Sequence, residues 1–105
     1  LPMRRESGPP VLEVSFGTGY LLTQYAAGFE THGIDYNEKL VSVASGNLKK
    51  KGIAAELRKG SVEALPYDDE AFDCIVNTMA FTAYPDGVKA MSELHRLLKQ
   101  GGRLV

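Results

Sequence analysis

The sequence has few of the residues that mark a secreted, metal-binding or membrane protein. Its 105 residues include one cysteine, Cys74, and no tryptophan. A single cysteine excludes an internal disulfide and a cysteine cluster for a metal. No apolar run approaches the roughly 18–20 residues of a membrane span, and residues 1–10 lack the apolar stretch of a signal peptide. These absences predict a cytoplasmic protein without a membrane segment, and no metal ligands are predicted.

The charge of the chain is nearly balanced. Twelve Lys and Arg residues stand against thirteen Asp and Glu residues, with a net charge of −1 and a pI near 6.1. No basic stripe of the kind that follows phosphates is present, so nucleic acid is not indicated as a partner. The 44% apolar and 24% charged residues are ordinary for a globular protein. The length predicts one domain over residues 1–105.

Strand-forming and helix-forming segments alternate along the chain. Strands are predicted at residues 11–16, 29–35, 53–59 and 72–77, and a fifth begins at Leu104. Helices are predicted after Gly19, after an N-cap at Asn37, and from Asp86 to a stop at Gly101, with one further helical turn near Glu63. The last helix has an apolar stripe of Val88, Met91, Leu94, Leu97 and Leu98. The alternation predicts a doubly wound, Rossmann-like α/β fold, with a parallel sheet of about five strands between two helical layers.

Ligands of open parallel sheets bind at the carboxyl ends of the strands. After the first strand, the turn Gly17-Thr18-Gly19 lets backbone approach a ligand and exposes the N–H groups of a helix start. A short strand-to-helix connection that binds no ligand needs the same glycines. The turn alone therefore does not decide between ligand binding and a purely structural role. Asp35 favours binding, because a carboxylate about 20 residues after the glycines can accept hydrogen bonds from both ribose hydroxyls. Helix capping is its alternative role.

The glycine turn differs from the fingerprint of dinucleotide-binding proteins. Leu22 stands where that fingerprint has its third glycine. Glu13 precedes the turn, and a carboxylate there repels phosphate but favours an ammonium or a sulfonium. The predicted ligand is therefore a nucleoside that carries a positive group.

The segment Val-Leu-Glu-Val-Ser-Phe-Gly-Thr-Gly at residues 11–19 resembles the first motif of class I S-adenosylmethionine-dependent methyltransferases. Residues 33–37, 60–67, 72–76 and 93–102 resemble further segments of that family, in the family's order. The resemblance is strongest to the small-molecule methyltransferases that include quinone-biosynthesis enzymes. Because that fold normally has seven strands, we expect the chain to be the core of a longer enzyme, or to complete its sheet by pairing an exposed edge with another chain.

The resemblance implies S-adenosylmethionine as the cofactor. Glu13 would hold the methionine ammonium through water, and Gly17 and Gly19 would approach the methionine part. Asp35 would bind the ribose hydroxyls. The cofactor-binding residues implied in this way are Glu13, Ser15, Gly17, Thr18, Gly19, Asp35, Tyr36, Ser61, Val62 and Asn77.

The resemblance also implies the contacts of the adenine and of the amino-acid end. Tyr36 would cover one face of the adenine, and Ser61 and Val62 would meet its edge. The backbone of Asn77 would face the amino-acid end. Ser15 stands where the motif usually has a glycine, and Ser61 stands where an aspartate usually accepts from the adenine amino group. Loss of such an acceptor weakens binding by roughly 1–3 kcal/mol.

Methyl transfer from a sulfonium needs no protonation of the leaving group, so positioning and electrostatics supply most of the acceleration. No catalytic residue is therefore predicted. His32 and His95 are the candidate bases, and both are interpreted as structural. Cys74 is interpreted as a core residue of a strand. Phe81 and Tyr84 follow the fourth strand, where they line an acceptor pocket or cover the sheet.

The predicted function is S-adenosylmethionine-dependent methyl transfer to an unidentified small-molecule acceptor. The alternative is a non-catalytic nucleotide-binding or assembly domain, which Ser15, Ser61 and the short chain favour. A fragment of a nicotinamide-dependent oxidoreductase is a third reading, and both the missing third glycine and Glu13 disfavour it.

Overall fold

The fold is built on a parallel β-sheet. A computed structural model describes residues 8–79 and 83–105 of the chain. The sheet has five strands in the order β3-β2-β1-β4-β5. These are β1 (Pro10–Val14), β2 (Glu30–Asp35), β3 (Glu56–Lys59), β4 (Phe72–Asn77) and β5 (Leu98–Leu104). All four pairings are parallel. The predicted Rossmann-like sheet of about five strands is confirmed.

Helices cover both faces of this sheet. On one face lie α1 (Tyr20–Tyr25), which continues into a 3₁₀ turn (Ala26–Gly28), and α2 (Glu38–Lys50), whereas α3 (Gly87–Leu97) lies on the other. Asn37 caps α2, because its side-chain oxygen accepts hydrogen bonds from the N–H groups of Lys39 and Leu40. Asp86 caps α3 in the same way. Both predicted helix starts are confirmed.

The core consists of two apolar clusters, one on each face of the sheet. Against α3 lie Leu12, Val14, Ile34, Val62, Leu65, Phe72, Ile75, Ala90, Leu94 and Leu97. Against α1 and α2 lie Phe16, Leu22, Ala26, Ala44 and Leu48. Alternate residues of β1 face opposite layers, so Leu12 and Val14 join the first cluster and Glu13 faces the second layer.

Several boundaries differ from the sequence predictions. Strand β1 ends at Val14 rather than at residue 16, because Ser15 has a left-handed backbone with φ of 60°. Strand β3 begins at Glu56, three residues later than predicted. The segment near Glu63 is a turn closed by a bridge between Ser61 and Ala64, not a helical turn.

The last helix also ends earlier than predicted. It stops at Leu97, and Gly101 lies within β5. Leu98 pairs with Phe72 while Arg103 pairs with Cys74, so the segment between them bulges out of the ladder. Pairing with β4 therefore outweighs the helical propensity of residues 98–100. The predicted stripe is also wrong at Val88 and Met91, which are exposed, whereas Ala90 is buried.

A salt-bridged arginine fixes the long connection between β3 and β4. Arg96 of α3 donates hydrogen bonds to the carbonyl oxygens of Leu65 and Tyr67 and to the carboxylate of Asp69. Glu93 binds Arg96 and accepts a hydrogen bond from the N–H of Leu65, and these contacts lower the pKa of Glu93. The loop that follows β3 is thereby tied to α3, against which its Val62 and Leu65 also pack.

Among residues 8–79 and 83–105, no helix is both long enough and apolar enough to cross a membrane. Phe81, for which the sequence leaves an acceptor pocket and the cover of the sheet as alternatives, lies outside the described residues.

We expect Leu94→Ala to lower the free energy of unfolding by about 2–5 kcal/mol, because Leu94 is fully buried between α3 and the sheet and its truncation leaves a cavity. Val88→Ala, on the exposed side of the same helix, is expected to change it by less than about 0.5 kcal/mol. Urea denaturation followed by circular dichroism measures both. Equal losses at the two positions would contradict this orientation of α3.

Candidate functional site

A glycine turn connects the end of β1 to α1. Gly17 and Gly19 have φ values of 61° and 82°, a left-handed conformation that glycine adopts without strain. A Cβ on Gly19 would lie 2.8 Å from the Cβ of Ala44, so close helix packing also requires glycine there. A Cβ on Gly17 would meet nothing within 4 Å among the described residues. The backbone of Gly17 therefore borders open space, where a ligand can approach it.

Asp35 lies beside this turn, as the sequence predicts. One carboxylate oxygen accepts a hydrogen bond from the N–H of Gly17 at 2.9 Å, and the other accepts from the N–H of Asn37 at 2.9 Å. Each carboxylate oxygen has two lone pairs, so each can accept one further hydrogen bond. Asp35 thus joins the ends of β1 and β2 and retains the capacity to bind two hydroxyl groups.

The residues assigned to the adenine lie on the β2 and β3 side of this centre. Tyr36 is 77% exposed, so a face of its ring is available for stacking. Ser61 accepts a hydrogen bond from the N–H of Glu63 and closes the turn after β3. Val62 is buried in the cluster under α3. A surface cleft of about 590 Å³ borders Tyr36, and its other lining residues are Asn37, Glu38, Lys39, Ser42 and Lys59.

A hydroxyl network occupies the ends of β1 and β4. The Ser15 hydroxyl lies 2.9 Å from the Tyr84 hydroxyl, which donates to the side-chain oxygen of Asn77 at 2.9 Å. The hydroxyl of Thr78 donates to the carbonyl oxygen of Ser15. Burial raises the pKa of Tyr84. The structure thus joins Ser15 and Asn77 through Tyr84, a contact that no local signal in the sequence marks, because 69 residues separate Ser15 from Tyr84.

Glu13 lies inside the protein, below the glycine turn. Its side chain is almost fully buried, and the Tyr25 hydroxyl donates to one carboxylate oxygen at 2.7 Å. Burial raises the pKa of Glu13, and the hydrogen bond from Tyr25 opposes that rise. The water-mediated contact of Glu13 with a methionine ammonium stays a prediction.

The two histidines and the cysteine lie away from this centre. His32 is in the middle of β2, between the carboxylates of Glu30 and Glu56, at 3.0 and 3.3 Å. His95 is exposed on α3. Cys74 is half-buried in β4, where burial raises the pKa of its thiol. All three side chains thus lie away from the carboxyl ends of the strands, and Cys74 belongs to neither apolar cluster of the core.

We expect Glu13→Gln to raise the midpoint of thermal unfolding at pH 8. The pKa of Glu13 is higher in the folded protein than in the unfolded chain. The free energy of unfolding therefore falls as pH rises from the usual pKa of a glutamate to the raised pKa of Glu13. A glutamine does not ionise, so the variant does not lose stability in this way. The difference between the midpoints of the two proteins should therefore widen from pH 4 to pH 8, and a constant difference would contradict an elevated pKa.

Tyr25→Phe is expected to lower the free energy of unfolding by about 2 kcal/mol at pH 8, because it removes the hydrogen bond to a buried carboxylate. The same change in a Glu13→Gln background should cost less, since the remaining partner is neutral. A double-mutant cycle by urea denaturation measures the coupling between these residues. Additive effects would show that the two side chains do not interact.

Comparison with known protein families matches residues 12–105 to a family described as a methyltransferase domain. The demethylmenaquinone methyltransferase of Thermus thermophilus is 34% identical over 98 residues, which cover 90% of this chain and 44% of that protein. The uncharacterized methyltransferase YdaC of Bacillus subtilis is 32% identical over 99 residues, covering 91% of this chain and 54% of that protein. The chain thus spans about half the length of the curated relatives it matches.

Solved structures show the same fold. The YcgJ protein from Bacillus subtilis superposes with a TM-score of 0.87 at 32% identity, over 94% of this chain and 43% of that one. The [4+2]-cyclase SpnF superposes with a TM-score of 0.88 at 27% identity, over 92% of this chain and 37% of that one. With its sheet order, its glycine turn and its paired Asp35, the chain belongs to the S-adenosylmethionine-dependent methyltransferase family.

Proposed function

We propose that the chain binds S-adenosylmethionine and transfers its methyl group to a small-molecule acceptor. One observation carries this proposal: the carboxylate of Asp35 is held against the N–H of Gly17 and can still accept two hydrogen bonds, next to the open space above that glycine. A ribose presents two adjacent hydroxyls that match this arrangement. The residues present therefore fit a nucleoside cofactor.

The adenine would lie on the β2 and β3 side of Asp35. Tyr36 follows Asp35 directly and presents an exposed ring against which a purine can stack. Ser61 and Val62 follow β3, and the Arg96 contacts with Leu65 and Tyr67 hold their loop in place. The hydroxyl of Ser61 already accepts from the N–H of Glu63, so it offers the adenine edge less than an aspartate would.

The chain's contribution to methyl transfer is positioning and charge. When bound, S-adenosylmethionine supplies a methyl group on a positively charged sulfur. Asp35 lies beside the glycine turn, so its carboxylate is close to the place where a positive ligand would bind, whereas the carboxylate of Glu13 is almost fully buried against Tyr25. No general base is assigned among the described residues, because His32 and His95 lie away from the strand ends. The acceptor itself must then be nucleophilic, or its base must come from elsewhere in the protein.

The acceptor is proposed to be a small molecule, because the relatives include a demethylmenaquinone methyltransferase and the chain has no basic stripe. We also propose that residues 1–105 form the cofactor-binding core of a longer chain, whose further segments shape the acceptor site. The cytoplasmic location and the pairing of a sheet edge with a second chain stay predictions from the sequence.

Binding without methyl transfer is the second candidate function. A structure that superposes on this chain with a TM-score of 0.88 is titled a [4+2]-cyclase rather than a methyltransferase. A shared fold does not fix the reaction, because function depends on the site. Formation of S-adenosylhomocysteine from S-adenosylmethionine distinguishes methyl transfer from binding alone.

Isothermal titration calorimetry with S-adenosylhomocysteine tests the proposal. We expect saturable binding to the wild type and a loss of about 10–100-fold in Asp35→Ala, since hydrogen bonds to a charged acceptor contribute roughly 1.5–3 kcal/mol. Asp68→Ala, at an exposed carboxylate in the connection after β3, is the matched control and should bind as the wild type does. NAD should bind weakly, because Leu22 replaces the third glycine of the dinucleotide fingerprint.

Absence of S-adenosylhomocysteine binding by a folded wild type would overturn the proposed function. Tighter binding of NAD than of S-adenosylhomocysteine would favour the oxidoreductase reading instead. Circular dichroism of Asp35→Ala is a necessary control, because this change also removes the partner of the Gly17 N–H.

Tyr36→Ala is expected to weaken S-adenosylhomocysteine binding by about 1–3 kcal/mol, the range for loss of base stacking on an aromatic ring. Tyr36→Phe keeps the stacking face and should bind as the wild type does. Because Tyr36 is 77% exposed, neither change should alter the unfolding midpoint appreciably. Equal affinity of all three proteins for the ligand would place the adenine elsewhere.

A further inference from the structure

Hydrogen bonds fix the first of the three peptide groups in the glycine turn after β1. The N–H of Gly17 donates to the carboxylate of Asp35 at 2.9 Å. The carbonyl oxygen of Phe16, which belongs to the same peptide group, accepts from the N–H of Gly19 at 3.0 Å. Both polar atoms of this peptide group therefore have partners within the protein, one of them at the end of β2.

Helix α2 fixes the third peptide group of the turn, between Thr18 and Gly19. Its carbonyl oxygen accepts from the side-chain nitrogen of Asn47 at 3.0 Å, and its N–H is the one that donates to Phe16. Ala44 lies on the same face of α2 as Asn47, three residues earlier. It packs so closely against the turn that a Cβ on Gly19 would lie 2.8 Å from its own Cβ. Packing and a hydrogen bond from α2 thus hold this peptide group together.

The middle peptide group of the turn, between Gly17 and Thr18, remains available to a ligand. Among residues 8–79 and 83–105, neither the carbonyl oxygen of Gly17 nor the N–H of Thr18 has a hydrogen-bond partner. Thr18 is exposed, and a Cβ on Gly17 would meet none of these residues within 4 Å. A peptide group is planar and is joined at its Cα atoms to the groups on either side. The two fixed neighbours therefore determine the direction of the free peptide group.

We infer that Asn47 is a positioning residue of the cofactor site, which keeps the free peptide group of the glycine turn directed toward the ligand. The inference rests on the proposed function, since it concerns the same cofactor. Gly17 and Gly19 have no Cβ to restrict their backbone, so other conformations of the turn become accessible when a hydrogen bond is lost. Asp35 constrains the turn at its start, and Asn47 constrains it at Thr18. The ligand then meets a turn that already has its binding conformation, which increases affinity.

Calorimetry with S-adenosylhomocysteine tests the inference on the full natural chain. We expect Asn47→Ala to weaken binding about three- to tenfold, in keeping with the net contribution of one hydrogen bond between neutral groups. Ser45→Ala is the matched control, because it also replaces a polar side chain of α2 by alanine. Ser45 is exposed and borders the groove beside β3 rather than the turn. Its variant should bind as the wild type does.

Hydrogen exchange of the Gly19 amide distinguishes positioning from a general loss of stability. This N–H donates within the turn, so its exchange rate reports the opening of the turn itself. We expect it to exchange faster in Asn47→Ala than in the wild type and to recover its protection when S-adenosylhomocysteine is bound. The amides of β1 should exchange at unchanged rates, because alanine is a better helix former than asparagine and α2 is not weakened.

A second variant keeps the test decisive if Asn47→Ala does not fold. Asn47→Asp preserves the shape of the side chain, but an ionised carboxylate has no proton to donate to the carbonyl oxygen of Thr18. At neutral pH it should therefore bind S-adenosylhomocysteine at least as weakly as Asn47→Ala does, and its Gly19 amide should exchange faster as well.

The outcomes separate this inference from the proposed function. If the wild type does not bind S-adenosylhomocysteine, the proposed function fails and the inference fails with it. If the wild type binds and a folded variant at Asn47 binds equally well, the inference is overturned while cofactor binding stands. Weaker binding with an unchanged Gly19 amide, or with exchange that is equally faster throughout β1, also overturns it. Weaker binding together with faster exchange confined to the turn supports the inference.

Discussion

The carboxylate of Asp35 holds the glycine turn against the end of β2, because one of its oxygens binds the N–H of Gly17 and the other binds the N–H of Asn37. The turn and the start of α2 are thereby fixed relative to each other. Asp35 is buried to 7% exposure, so these charge-assisted bonds also compensate the loss of hydration of the carboxylate. The geometry of the candidate site depends on this one side chain.

Sequence patterns predicted the parts of the fold that local rules determine. Asn37 and Asp86 cap their helices as expected, since a cap bonds to backbone only two or three residues away. Strand β4 has the predicted bounds, because its apolar run lies between clear breaks. The same local rules failed at Gly101, where a helix stop was predicted and pairing with β4 instead draws the segment from Leu98 into a strand.

The candidate site likewise contains some contacts that the sequence predicts and others that it does not. The proximity of Gly17 and Asp35 was predictable, because adjacent parallel strands bring their carboxyl ends to one edge of the sheet. The burial of Glu13 against Tyr25 was not, since it depends on how α1 packs on the sheet. Likewise, the contacts of Arg96 with the loop after β3 join residues about 30 positions apart, and no sequence pattern in either segment predicts them.

Ser15 shows why a departure from a family motif needs a structure for its interpretation. In the sequence, a serine at the glycine position adds a side chain next to a ligand and favours loss of function. In the fold, the left-handed backbone is tolerated and the hydroxyl has a partner in Tyr84, which Asn77 orients in turn. Two hydroxyls that would each be costly to bury alone satisfy one another. The substitution thus belongs to a network that spans β1, β4 and the loop before α3.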